Sequence, residues 1–195
     1  MTIILGSGSP RREEILRFFS VPFTQISSSF DEESVLFKGD PIDYVQTLSQ
    51  KKAENLSITY RDRIILTADT IVFHKGVVYN KPKSLEEAVA FLQTLSGNWH
   101  SVFTSLSLFH EGSIKTQTEE TKILFHELTL DQIHKYLSHI NFLDKAGGYA
   151  IQQGGSLIVK KIEGCYYNVM GLPLTSLKEI LWSVGIDLWQ HMKIL

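Results

Sequence analysis

Residues 99–109, WHSVFTSLSLF, and residues 114–125, IKTQTEETKILF, are two long runs rich in β-branched and aromatic side chains, joined at Glu111-Gly112. Runs of that composition on either side of a glycine turn predict a long antiparallel ribbon. Upstream, Ser84 and Glu87 have capping-box spacing for a helix to about Leu95, ahead of Gly97. Lys75-Gly76 supplies a hairpin turn, and Ile64-Ile65-Leu66 and Ile71-Val72-Phe73 flank Thr67-Ala68-Asp69-Thr70. A helix is expected from Asp40-Pro41, a cap followed by proline, with Tyr44, Val45 and Leu48 on one face, reaching Lys52. At the start, residues 3–5 read as a short buried strand, Gly6-Ser7-Gly8-Ser9 as a loop, and Pro10 opens a helix through Leu16 and Phe19. Downstream, Thr129 and Gln132 form a second capping box. Residues 144–151 read as a glycine-punctuated loop entering a strand, 157–162 as a strand, and 174–184 as a closing helix ended by Gly185. Helices and strands alternate irregularly around a central ribbon, so the expected class is α/β of the mixed α+β kind, not a regular doubly wound sheet.

The 195 residues are 43% hydrophobic, enough apolar material for one large domain or two small lobes sharing a core. Lys and Arg total 19 against 21 acidic residues, so no broad basic field exists to hold a nucleic acid, and phosphate binding must be local. The single cysteine, Cys165, excludes an internal disulfide framework and leaves no CxxC pair, which fits a reducing, cytoplasmic setting. The opening Met1-Thr2-Ile3-Ile4-Leu5 is too short an apolar run for a signal peptide, and no stretch approaches the roughly 18 uncharged apolar residues needed to cross a bilayer. A soluble protein without membrane contact is expected.

Ser7-Gly8-Ser9-Pro10-Arg11-Arg12 joins a small-residue loop to a helix start, where unpaired N–H groups and the positive dipole end suit an anion. Two guanidinium groups at that end repel the dipole unless a phosphate lies among them; otherwise they pair with Glu13 or Glu14 on a solvated turn. Gly6 and Gly8 give GxG, but Arg11 stands where a dinucleotide fingerprint needs its third glycine, and no GxxxxGK[ST] loop is present. Asp69, between two apolar runs, reads as a carboxylate at a strand end beside a cleft, in need of a partner or a task. Glu32 lies in an acidic turn, and Lys52 and Lys81 by themselves read as surface lysines, Lys81 aimed by the bend at Pro82. The seven histidines have no metal-ligand spacing. Asn55-Leu56-Ser57 is a glycosylation sequon with nothing to direct export, and Trp182 and Trp189, at helical spacing, are expected in the core or a subunit contact.

Taken in order, SGSPRR at 7–12, Asp31-Glu32, Lys52-Ala53, Ala68-Asp69-Thr70, Lys81-Pro82, Leu95-Ser96-Gly97, Asp144-Lys145-Ala146-Gly147, Tyr149 with Gln152, and Ile162 with Gly164 and Asn168 through Gly171-Leu172-Pro173 resemble the Maf family of nucleoside triphosphate pyrophosphatases over nearly the whole chain. Ser105, where the family usually has glycine or alanine, and Cys165-Tyr166 depart from the pattern. The resemblance implies one domain, 1–195, with an elongated twisted mixed sheet flanked by helices and two lobes around a central cleft, similar to inosine-triphosphate pyrophosphatases. It implies hydrolysis of a triphosphate to a monophosphate and diphosphate. Asp69 matches the proton acceptor and, with Glu32, a metal-ligating pair for a divalent cation, Mg²⁺ or Mn²⁺, since a carboxylate alone is a weak base. Ser7, Arg11, Arg12, Lys52 and Lys81 match substrate-binding positions, and the segment ending at Gln152 resembles the dTTP/UTP branch, with Arg11, Thr70 and Gln152 at its selectivity positions. A homodimer is compatible with the resemblance. The competing readings are a regulatory binding protein of septum formation and an ITP/XTP-type pyrophosphatase.

Overall fold

The structure is a computed structural model that describes residues 2–152 and 154–193. Its seven strands form one mixed sheet in the order β2-β1-β3-β5-β6-β7, with β4 paired on β3. The strands are β1 (Ile3–Gly6), β2 (Phe23–Gln25), β3 (Ile65–His74), β4 (Val77–Tyr79), β5 (Trp99–His110), β6 (Ser113–Phe125) and β7 (Val159–Glu163). The helices are α1 (Pro10–Leu16), α2 (Pro41–Ser57), α3 (Leu85–Leu95), α4 (Leu130–Leu137), α5 (Tyr166–Val169) and α6 (Leu174–Trp182). β1 runs parallel to both β2 and β3, whereas β4 on β3 and β7 on β6 are antiparallel. The expected mixed α/β class is met, and the chain divides into two compact units.

The first unit comprises Met1–Asp69, Thr104–Glu119 and Gly171–Leu195. Every residue of β1 is buried, as suits a parallel strand covered on both faces. α2 starts where its cap is written: the Asp40 carboxylate accepts from the N–H groups of Ile42 and Asp43 at 2.8 and 3.3 Å, and Pro41 fills the first helical position. It continues past Lys52 to Ser57 because Ala53 and Leu56 extend the buried face and pack on Ile4, Ile65 and Phe109. Gly6 is required by that packing. A Cβ there would stand 2.5 Å from Leu56 Cδ1 and 2.6 Å from Thr67 Cγ2, so any side chain would push α2 off the strands.

Two expectations fail in this unit and one of two alternatives falls. α1 ends at Leu16, not Phe19, because the N–H groups of Phe18 and Phe19 tighten onto Ile15 and Leu16 and Ser20 N–H turns to the His191 carbonyl at 2.7 Å. Of the core and subunit-contact alternatives for Trp182 and Trp189, the core one falls, since they are 64% and 71% exposed: α6 buries Ser176, Leu177, Ile180 and Leu181 instead, and Trp189 sits in a separate 3₁₀ turn capped by Asp187. Asp69 lies inside one ten-residue strand, not at the end of two shorter ones.

The second unit comprises Thr70–Phe103 and Glu120–Met170. Lys75 and Gly76 both take positive φ, 47° and 84°, and turn β3 into β4 as read. Thr129 and Gln132 form the full reciprocal capping box of α4. At α3 only half of the box exists: Ser84 accepts from Glu87 N–H, but the Glu87 carboxylate reaches Lys83 N–H at 2.6 Å. No strand begins at Ile151, and residues 155–157 form a 3₁₀ turn before β7 opens at Val159. The Tyr136 hydroxyl donates to the Ala150 carbonyl at 2.9 Å and accepts from its N–H at 3.0 Å, so this residue's backbone is satisfied without a strand partner.

His100 is buried among Phe125 and Tyr149, with Nε2 2.9 Å from the Tyr149 hydroxyl, and burial pushes its pKa down to about 3. A histidine held neutral when folded but titrating near ~6.5 when unfolded contributes stability fully present above that value and lost as pH falls toward 3. Against a His100→Leu variant, wild type is therefore expected to lose about 2–3 kcal/mol more between pH 6.5 and 4.5 in urea unfolding. Parallel losses in the two proteins would show that His100 does not titrate this way.

Candidate active site

Alternation along β3 sends Thr67 and Asp69 to the same face. The Thr67 hydroxyl donates to the Ser49 carbonyl at 2.7 Å, and Lys52 lies one turn further along α2. Strand and helix are thus pinned together two residues from Asp69 and three from Lys52. The Lys52 ammonium donates to Asp69 Oδ1 and also meets Glu32 Oε1 at 2.9 Å. Side-chain exposures of 10% for Lys52, 9% for Asp69 and 45% for Glu32 describe an ion triad that is dry at one end and open to water at the other. Glu32 is presented by a 3₁₀ turn (Glu32–Ser34) whose cap is Asp31, its carboxylate accepting from Glu33 N–H at 3.0 Å.

Arg12 approaches the same place from α1. It is 9% exposed, donates from Nε to the Gly171 carbonyl at 2.7 Å, and from Nη1 to Ser7 Oγ and the Ala68 carbonyl, both at 2.9 Å. One guanidinium therefore ties the Ser7 loop, the residue before Asp69 and a segment 159 positions away. Burial lowers its proton affinity; Asp69 opposes that, Arg11 adds to it and Glu32 opposes it. Ser7 Oγ also accepts from Ser9 N–H at 3.2 Å, and Gln25 Nε2 donates to the Ser7 carbonyl at 2.8 Å, which fixes the loop. Glu13, for its part, pairs with Arg17 at 2.5 Å.

Behind the triad lies a hydroxyl cluster that motif reading missed. Ser49 Oγ donates to Ser105 Oγ at 3.0 Å and lies 2.8 Å from Ser107 Oγ, with all three serines buried. Its one sequence signal is the alternation of Ser105 and Ser107 inside an otherwise apolar run.

Of the expected site residues, Ser7, Arg11, Arg12, Glu32, Lys52 and Asp69 belong to the first unit, and all but Arg11 are joined by the contacts above; Arg11 is half-buried and acts on Arg12 through its charge. Thr70, Lys81 and Gln152 belong to the second unit: Thr70 is half-buried in β3, Lys81 exposed ahead of α3, and Gln152 exposed in a bend. Asp144 and Lys145 serve each other, with Lys145 Nζ 2.6 Å from Asp144 Oδ1 and 2.5 Å from the Asn141 carbonyl. Among the described residues no group of three or more His, Cys, Asp or Glu side chains is placed to hold a metal, and no helix is long and apolar enough to cross a membrane.

Two carboxylates sharing one ammonium, beside a buried guanidinium, concentrate charge of both signs in one place. Residues 2–184 match the family model described as Maf-like protein, and the chain belongs to that family. It is 45% identical over 191 residues to a dTTP/UTP pyrophosphatase of Chlamydia felis, covering 97% of each chain. It is 41% identical, with the same coverage, to a nucleoside triphosphate pyrophosphatase of Chlamydia muridarum. Among solved structures, the Ham1 protein of Staphylococcus aureus aligns over 94% of this chain and 100% of its own, at 14% identity and a TM-score of 0.49.

Proposed function

We propose that this protein hydrolyses dTTP and UTP between the α- and β-phosphates, releasing the nucleoside monophosphate and diphosphate. The observation that carries the reading is the Glu32–Lys52–Asp69 triad next to buried Arg12. Relatives at 41–45% identity that bear the names dTTP/UTP and nucleoside triphosphate pyrophosphatase support it.

Asp69 accepts a proton from the attacking water as the water oxygen bonds to the α-phosphorus; the bond from phosphorus to the bridging oxygen breaks and its electron pair leaves with diphosphate. Arg11, Lys52 and Lys81 offset the triphosphate's charge, close to ~4 negative, and stabilise what accumulates on the departing group. Arg12, with Nε and Nη1 engaged by Gly171, Ser7 and Ala68, adds its charge and holds the loop that presents Ser7. Glu32 and Asp69 would hold Mg²⁺ or Mn²⁺. Two carboxylates, joined among the described residues by no third His, Cys, Asp or Glu side chain, fit an ion completed by substrate phosphates and water better than an all-protein cage. When bound, such an ion supplies Lewis-acid polarisation of the phosphates and a more acidic water.

Thr70 and Gln152 are assigned to base selection by resemblance, Gln152 offering one donor and one acceptor to the N3–H and O4 edge of uracil or thymine. The setting proposed is cytoplasmic, in keeping with a lone thiol at Cys165. A panel of dTTP, UTP, CTP, ITP, XTP and 7-methyl-GTP tests the reading, with dTTP and UTP expected to exceed the others by about tenfold or more in kcat/KM. Faster cleavage of 7-methyl-GTP, ITP or XTP would overturn the base assignment. Nucleotide binding without turnover would make the protein a binder, as the septum-regulator reading requires.

A further inference from the structure

Lys52 is placed unusually for a phosphate ligand. Its side chain is 10% exposed, and its ammonium lies on both carboxylates that the proposed reaction gives to a divalent ion. Of its two partners Glu32 is the more exposed, its side chain at 45% against 9% for Asp69, so the cluster meets solvent on the Glu32 side. An ammonium and a divalent cation cannot share the space between the same two carboxylates, because like charges at contact distance repel strongly even when partly screened. Thr67 and Ser49 hold the backbone of α2 against β3, so the helix does not need to move for the long, flexible lysine stem to swing.

We propose that Lys52 is the resident counter-ion of the Glu32–Asp69 pair: it competes with the divalent ion for the two carboxylates in the nucleotide-free protein and is displaced toward phosphate when an ion–triphosphate complex enters. Nucleotide-free enzyme then binds the ion weakly, and metal and triphosphate load together, each opening the place of the other. Lys52 is thereby a positioning residue whose charge is exchanged rather than a fixed phosphate clamp. The inference rests on the metal-assisted reading above, but its test needs no turnover.

The test is Mn²⁺ binding to the full-length, nucleotide-free chain, read as free Mn²⁺ by electron paramagnetic resonance at pH 8, for wild type, Lys52→Met, Lys52→Gln and Lys52→Met/Glu32→Gln. Removing the competing charge is expected to tighten Mn²⁺ binding by at least about tenfold in both single variants. The double variant is expected to lose that gain. Mn²⁺ is also expected to raise the unfolding temperature of Lys52→Met by more than it raises that of wild type, which supplies a readout where the ion-free variant folds poorly. Equal or weaker Mn²⁺ binding by both single variants would overturn the proposal. A chain that binds Mn²⁺ as described yet cleaves no nucleotide would overturn the hydrolase reading alone.

Discussion

Asp69→Asn is expected to fold as wild type does and to lose at least about 10²–10⁴-fold in kcat on dTTP, the range associated with removing a general base. The substitution keeps the shape of the side chain and an oxygen for the Lys52 ammonium, and Glu32 remains as that lysine's second partner. Ala68 and Thr67 on the same strand keep their contacts to Arg12 and Ser49. Loss of activity with unchanged thermal unfolding separates a catalytic carboxylate from one that serves only as half of a buried ion pair. The purely structural role predicts the reverse, a lowered unfolding temperature with turnover kept in the folded fraction.

Arg12→Ala is expected to cost about 3–5 kcal/mol in urea unfolding, far more than any surface arginine. It deprives the Gly171 carbonyl, Ser7 Oγ and the Ala68 carbonyl of their donor in a buried place, and removes a positive charge that Asp69 and Glu32 both feel. Arg12→Lys restores charge without the planar fork that reaches three acceptors, so it should recover only a small part of the loss. Arg11→Ala, at a half-buried neighbour, should cost about 1 kcal/mol or less in stability and act on kcat/KM instead. An Arg12→Ala protein with a wild-type unfolding midpoint would remove Arg12 from the structural role given to it.

Features with local chemistry were the most legible in the sequence. The caps at Asp40 and Thr129, the turn at Lys75-Gly76 and the long ribbon all form as read, because each depends on residues within a few positions of one another. In sequence Asp69 reads as a strand end because a carboxylate interrupts an apolar run; the strand continues because α2 brings Lys52, 17 positions away in sequence, to that carboxylate. The same distance hid the buried state of Lys52, which read as a surface lysine on its own spacing. Trp182 followed helical periodicity in sequence but falls outside the stripe that α6 buries, and Trp189 leaves the helix altogether. The Ser49–Ser105–Ser107 cluster shows in the sequence only as the alternation of Ser105 and Ser107, because a buried hydroxyl declares itself through partners on other elements. The site was therefore legible as a set of residue types in family order, and not as an arrangement.

The proposed function gives Asp69 the part of base in cleavage between the α- and β-phosphates. The most direct measurement is ³¹P NMR of dTTP with Mg²⁺ incubated with wild type and with Asp69→Asn. Wild type is expected to convert dTTP to dTMP and diphosphate with no dTDP or orthophosphate, and Asp69→Asn to leave dTTP essentially unchanged over the same interval. Formation of dTDP and orthophosphate by wild type, or equal diphosphate release by both proteins, would contradict the account.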